Sequence, residues 1–144
     1  MARKYDASSI VVIENDRDRV RQSPSMYVPD IYKNGGIHIM FEVIDNSIDE
    51  LSVKEPAGDK IDVTFDKKTK EFSVADDGSG IPLEKLLDVL TKLAASGKFN
   101  NNDDSAYTNS GGVFGHGLKT GVFLSKTCEF TSMRDGKFIT YSFK

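Results

Sequence analysis

One cysteine and two histidines are all that 144 residues offer to soft-metal and thiol chemistry. That shortage excludes a zinc site. A single Cys128 excludes an internal disulfide, and its strand-like surroundings predict a buried apolar thiol rather than a nucleophile. No apolar run approaches the roughly 20 residues that span a bilayer, so no membrane association is expected. Met1-Ala2-Arg3-Lys4-Tyr5-Asp6 has two basic residues without a following apolar segment, a pattern that predicts no secretory signal and a cytoplasmic location. An excess of positive charge is also missing: 19 Lys and Arg against 22 Asp and Glu give a net charge of −3. The chain as a whole is therefore not a nucleic-acid-binding surface. Its basic cluster, Arg17, Arg19 and Arg21, is interrupted by Asp16 and Asp18 and reads as a solvated face. What remains, 38% hydrophobic and 28% charged residues, describes one globular domain over 1–144 with a single modest core.

Residues 1–9 are polar and lack periodicity, and read as an arm. Ile10–Ile13 predicts a short strand, and Asn15 to about Gln22 a helix that stops before Pro24. Asn34-Gly35-Gly36 feeds the strongest predicted helix, Ile37 to Val53. Its Ile37, Phe41, Ile44, Ile48 and Leu51 make an apolar stripe at spacings of four and three. Ile61–Phe65 and Phe72–Ala75 alternate as strands around the polar turn 66–70. Leu83 to about Ala95 predicts a second amphipathic helix, with Leu83, Leu86, Leu87, Leu90, Leu93 and Ala94 on one side. Residues 96–112 are rich in Gly, Asn and Asp, cannot build a core, and predict a long mobile loop. A glycine-punctuated helix, 115–124, and a hairpin turning at Arg134-Asp135-Gly136 close the chain. The sum is an α+β fold, a largely antiparallel sheet with helices on one face.

Three segments could carry chemistry. Asp76-Asp77-Gly78-Ser79-Gly80-Ile81-Pro82 sets two carboxylates on a tight loop after a predicted strand. An ionised carboxylate there only accepts hydrogen bonds, which suits the exocyclic amine of adenine; an ordinary Asp-Gly turn is the plain alternative. On the 37–53 helix, His38, Glu42, Asn46 and Asp49 share one face. They supply a candidate general base (Glu42), a neighbour to orient it (His38), and oxygen donors for a hard cation such as Mg²⁺ (Asn46, Asp49). Ser110-Gly111-Gly112-Val113-Phe114-Gly115-His116-Gly117-Leu118-Lys119 puts glycines before and inside a helix start, where backbone N–H groups and the helix terminus favour phosphate. It lacks the Gly-Lys-Ser/Thr ending of a Walker loop and follows no strand, unlike a dinucleotide fingerprint.

In order and spacing, Glu42–Glu50, Asp76–Pro82 and Gly111–Gly117 resemble the N box and two G boxes of the GHKL ATPases, which share the Bergerat fold, a two-layer sandwich. The chain is most similar to the branch of gyrase B and topoisomerase IV ParE, the ATPase subunits of type IIA DNA topoisomerases. Tyr5–Ile10, Asp18–Arg21 with Pro24–Val28, Gly36–Val43, Gly97-Lys98-Phe99 and Arg134–Lys137 extend the likeness over nearly the whole chain. The resemblance implies that Glu42 polarises the attacking water with His38 behind it, Asn46 ligates Mg²⁺, and Asp49 supports the nucleotide end of the helix. It implies that Asp76 accepts the adenine amine and that Gly80, Ile81 and Pro82 wall the base pocket. Lys98, in an ATP lid over 96–112, would approach the phosphates. Gly112, Val113, Phe114, Gly115, His116 and Gly117 would cradle them, and Tyr5 would reach a partner's nucleotide through the exchanged arm, 1–9. The implied activity is ATP binding that closes a homodimer and ATP hydrolysis that resets it, coupled to DNA strand passage with a gyrase A or ParC-like cleavage subunit.

Ser79 stands where gyrases commonly carry an arginine, Gln22-Ser23-Pro24-Ser25 replaces a more basic stretch, and Gly115–Lys119 is as similar to a MORC-type ATPase. The later strands and the transducer of the family lie beyond Lys144, which fits either a truncated domain or a minimal homologue. The alternatives to the topoisomerase reading are a nucleotide-binding regulatory protein with little turnover, or another GHKL ATPase of MORC, MutL or chaperone type.

Overall fold

In a computed structural model the described residues are 12–93 and 117–144. Helix α1 spans Asp16–Gln22 and is started by Asn15, whose side-chain oxygen accepts from the Asp18 N–H, so an otherwise orphaned donor is satisfied. A 3₁₀ turn, Pro24–Met26, follows. The Asp30 carboxylate then accepts from the N–H groups of Tyr32, Lys33 and Asn34 at 2.9, 3.1 and 3.1 Å and leads into α2, Gly35–Leu51. A Cβ at Gly35 would collide with the Asp30 carbonyl, which explains a glycine at the start of the helix. Strands β1, Ile61–Phe65, and β2, Phe72–Asp76, pair antiparallel with Ile61 opposite Asp76. After the 3₁₀ turn Leu83–Lys85 come α3, Leu86–Thr91, and α4, Gly117–Leu124. Strands β3, Cys128–Arg134, and β4, Lys137–Phe143, form a second antiparallel pair. Asp135 and Gly136 at its tip have φ of 53° and 72°, the left-handed pair that a two-residue hairpin turn requires.

The core is built from Val20 of α1, Leu86 and Leu90 of α3, and Val122 and Phe123 of α4, with alternate residues of β3 and β4 packed beneath. Fully burying one such aliphatic side chain is worth about 1.5–3 kcal/mol. Lys119 is almost wholly buried among these elements. Its Nζ donates to the Leu93 carbonyl at 3.4 Å, while burial pushes its pKa down and nearby Asp16 opposes that shift.

Several expectations need correcting. The α+β class holds, but the four described strands form two separate two-stranded ribbons rather than one sheet. Val12 and Ile13 are not strand residues. The second predicted helix is a 3₁₀ turn and a six-residue α-helix that ends at Thr91, because Lys92 turns to extended backbone. The predicted apolar stripe of α2 is not its buried line: Ile37, Phe41 and Ile48 are exposed, Phe41 to 54%. Gly35, Ile39, Ser47 and Asp49 are buried instead. Gly121 is the physical reason, since without a side chain it lets α4 approach so closely that an added Cβ would sit 2.9 Å from Ile39. The arginine cluster is also not simply solvated, for Arg21 Nε donates to the Phe123 carbonyl at 2.7 Å. Cys128 is half-buried, and burial pushes its thiol pKa up.

Candidate functional site

Helix α2 provides one side of the site. His38 and Glu42 lie one turn apart, as their i, i+4 spacing dictates, with Nε2 and Oε1 3.6 Å apart and both side chains about one-third exposed. Asn46, a further turn along, donates from Nδ2 to the Glu42 carbonyl at 2.8 Å. Its amide is thereby oriented through nitrogen, and a cation would be met by its oxygen. Among the described residues no group of three or more His, Cys, Asp or Glu could hold a metal. A cation here would need most of its ligands from water and phosphate, the usual habit of Mg²⁺; a single Asn oxygen fits that role. Asp49 is buried on the same helix.

Helix α4 meets this stripe at its first residue. A Cβ on Gly117 would lie 2.6 Å from Glu42 Cβ, so the absence of a side chain lets the helix start approach the carboxylate closely.

The carboxylate at the end of β2 is fixed from two directions. Ser47 Oγ donates to Asp76 Oδ2 at 2.6 Å, and the Gly78 N–H donates to Oδ1 at 3.1 Å. Hydrogen bonds to an ionised acceptor are shorter and stronger than neutral ones, and two of them leave Asp76 a defined orientation. Asp77 does different work. Its Oδ1 accepts from the Lys60 N–H at 2.8 Å and its own N–H reaches the Lys60 carbonyl at 3.3 Å, so it extends the ribbon. The loop beyond is tied to α2 by Glu50, whose Oε1 accepts from the Ser79 N–H at 3.0 Å and also from the Ser79 hydroxyl. Gly80, with φ of 74°, then passes under β3. The Ile81 N–H donates to Ser132 Oγ at 2.9 Å and the Ile81 carbonyl accepts from the same hydroxyl at 3.1 Å. Arg134 Nη1 donates to the Gly80 carbonyl at 2.9 Å. Pro82 caps the 3₁₀ turn that follows.

The structure thus brings His38, Glu42, Asn46 and Gly117 together, and Asp76 onto the same helix through Ser47. Tyr5, Lys98, Gly112, Val113, Phe114, Gly115 and His116 lie outside the described residues. Four contributors escaped the sequence reading, the first being Glu50, which ties the turn at Ser79 to α2. Ser47 continues the buried line of Ile39 by two turns, and a polar residue at such a position signals a buried partner. Ser132 and Arg134 fall on the inward register of β3, alternating with Glu129, Thr131 and Met133; a hydroxyl on that face is the readable cue.

The profile of the histidine kinase-, DNA gyrase B- and HSP90-like ATPases matches residues 38–144. The chain is 40% identical over 146 residues to the DNA gyrase B protein of Treponema pallidum, covering 94% of this chain and 22% of that protein. It is 38% identical over 141 residues to the chloroplastic/mitochondrial DNA gyrase B protein of Nicotiana benthamiana, covering 92% and 19%. Over 147 residues it is 36% identical to the DNA topoisomerase 4 B protein of Staphylococcus aureus, covering 97% and 21%. The chain therefore spans about a fifth of the length of the curated relatives it matches. Among the described residues no helix is long and apolar enough to cross a membrane.

Proposed function

From its membership of the histidine kinase-, DNA gyrase B- and HSP90-like ATPase family, to which this chain belongs, we propose that it binds Mg²⁺-ATP between α2, the 76–82 loop and the start of α4, and hydrolyses it. The observation that carries the reading is a shared frame. Asp76, the adenine acceptor, is bonded to Ser47 of the helix that also presents Glu42. Base recognition and water activation are therefore referred to one rigid element, and in phosphoryl transfer positioning accounts for most of the rate.

In this reading the exocyclic amine of adenine donates to Asp76, and Gly80, Ile81 and Pro82 flank the ring. Glu42 accepts a proton from the attacking water, and His38 orients the Glu42 carboxylate. Gly117 keeps the α4 terminus close, where its N–H groups face the phosphates. Asp49 supports the nucleotide end of α2. Asn46 would hold Mg²⁺ together with water and the phosphates, and the ion when bound would neutralise phosphate charge. Tyr5, Lys98 and residues 112–116 complete the binding surface.

At the level of the whole assembly, we propose that this module serves a type IIA DNA topoisomerase. ATP would close a homodimer through the N-terminal arm, with DNA and a gyrase A or ParC-like subunit as partners. The support is the identity to DNA gyrase B and DNA topoisomerase 4 B proteins over more than nine-tenths of this chain.

Glu42→Gln separates binding from chemistry. It should keep affinity for a non-hydrolysable ATP analogue within about threefold and lower turnover by about 10²–10⁴-fold. Hydrolysis at the wild-type rate in that variant would remove Glu42 from the mechanism.

A further inference from the structure

The 76–82 loop is held at both ends: in the proposed site Asp76, at one end, makes the polar contact with adenine, and Gly80 and Ile81 form the wall beside the ring. The other end is fastened to β3 by side chains that the proposed chemistry does not use. Ser132 is 5% exposed, and its hydroxyl both accepts from the Ile81 N–H and donates to the Ile81 carbonyl, at 2.9 and 3.1 Å. One side chain thus satisfies both backbone groups of Ile81, in the manner of a neighbouring strand. Two residues along the same face, Arg134 binds the Gly80 carbonyl. Between them Gly80 runs so close to β3 that a Cβ there would collide with the Met133 carbonyl. Ile81 itself packs against the buried core.

We infer that Ser132, seconded by Arg134, is a positioning residue that sets adenine-over-guanine selectivity. It does so by holding the Gly80-Ile81 wall at a fixed distance from Asp76. The inference rests on the proposed nucleotide site and assigns a role to β3 within it. Selectivity follows from chemistry. Adenine presents a donor at C6, whereas guanine presents a carbonyl oxygen that a carboxylate repels. The difference is expressed only while the wall forces the ring edge toward Asp76. A wall released from β3 lets either purine shift and meet water instead.

The test is a calorimetric titration of the full chain with Mg²⁺ and non-hydrolysable analogues of ATP and GTP, alongside a thermal melt. Ser132→Ala should weaken the ATP analogue about tenfold and the GTP analogue much less, so that their ratio contracts. Ser132→Thr, which keeps the hydroxyl, should restore the ratio. Thr131→Ala removes a cross-strand bond to Thr140 on the opposite face of the hairpin and should leave the ratio unchanged even where it lowers the melting temperature. Arg134→Gln, at a half-buried position, gives a second reading if Ser132→Ala does not fold, with about threefold contraction expected. An unchanged ratio in every folded β3 variant, or equal weakening of both analogues, overturns the inference and leaves the nucleotide site standing. A folded wild-type chain that binds neither analogue overturns the site as well.

Discussion

Gly117→Ala sets two effects of opposite sign against each other, and the structure decides between them. By backbone propensity alone the change should stabilise, though at this first residue of the helix by less than the about 0.5–1 kcal/mol that favours alanine over glycine in a helix interior. Sterically, the new Cβ would sit 2.6 Å from Glu42 Cβ, where ordinary contact starts at 3.4 Å. The Glu42 carboxylate could swing aside, but its Cβ is fixed to the α2 backbone. The helices must therefore part by about 0.8 Å, the difference between those two distances. Overpacking of this kind costs about 1–3 kcal/mol, so we expect a net loss of about 1–2 kcal/mol. For a chain of this size that is about 3–8 °C in a thermal melt. Displacing a catalytic group by about 1 Å costs on the order of 10²-fold in rate, so ATP turnover in a coupled assay should fall by that factor in protein that remains folded. An alanine variant that melts higher than wild type and turns over ATP unchanged would refute the contact and the role given to Gly117.

Ser47→Ala removes a charge-assisted bond to Asp76 of 2.6 Å; we expect a loss of about 1.5–3 kcal/mol divided between stability and analogue binding, measured by melting and titration together. Asp30 has its pKa lowered chiefly by the Tyr32 N–H and then by Lys33, against partial desolvation, with Asn34 adding to the lowering. A carboxylate whose folded pKa is depressed contributes stability above its unfolded pKa and loses it as pH falls through the folded one. The melting difference between wild type and Asp30→Asn should therefore be full at neutral pH and close progressively below the ordinary value of 3.8, as a pH series of melts would show.

Local signals were legible in the sequence wherever a single element decides the outcome. The 72–76 strand, the 66–70 turn and the Asp135-Gly136 hairpin follow from alternation and from residues that tolerate positive φ. The row His38, Glu42, Asn46 follows from helical spacing. What depends on a second element was not legible. Which stripe of α2 is buried is decided by Gly121 of α4, 82 positions after Ile39, because that glycine permits close approach. The partners of the base loop come from β3, some 50 positions on, and nothing between Ile81 and Ser132 announces their pairing. Asp77, equal to Asp76 in sequence appeal, closes a ribbon instead.

Whether Asp76 holds an adenine nucleotide is read out by titrating the chain with a non-hydrolysable ATP analogue and Mg²⁺, as wild type and as Asp76→Asn. The asparagine oxygen can still accept from the Gly78 N–H, and its Nδ2 can donate to the Ser47 hydroxyl in place of accepting from it, which keeps the loop tied, but the adenine amine then meets an NH₂ donor or a neutral oxygen instead of a charged one. Wild type should bind saturably, and the variant should lose about 1.5–3 kcal/mol, roughly 10- to 150-fold in Kd. Equal affinity in the two proteins, or a folded wild-type chain that does not bind, would contradict that role of Asp76.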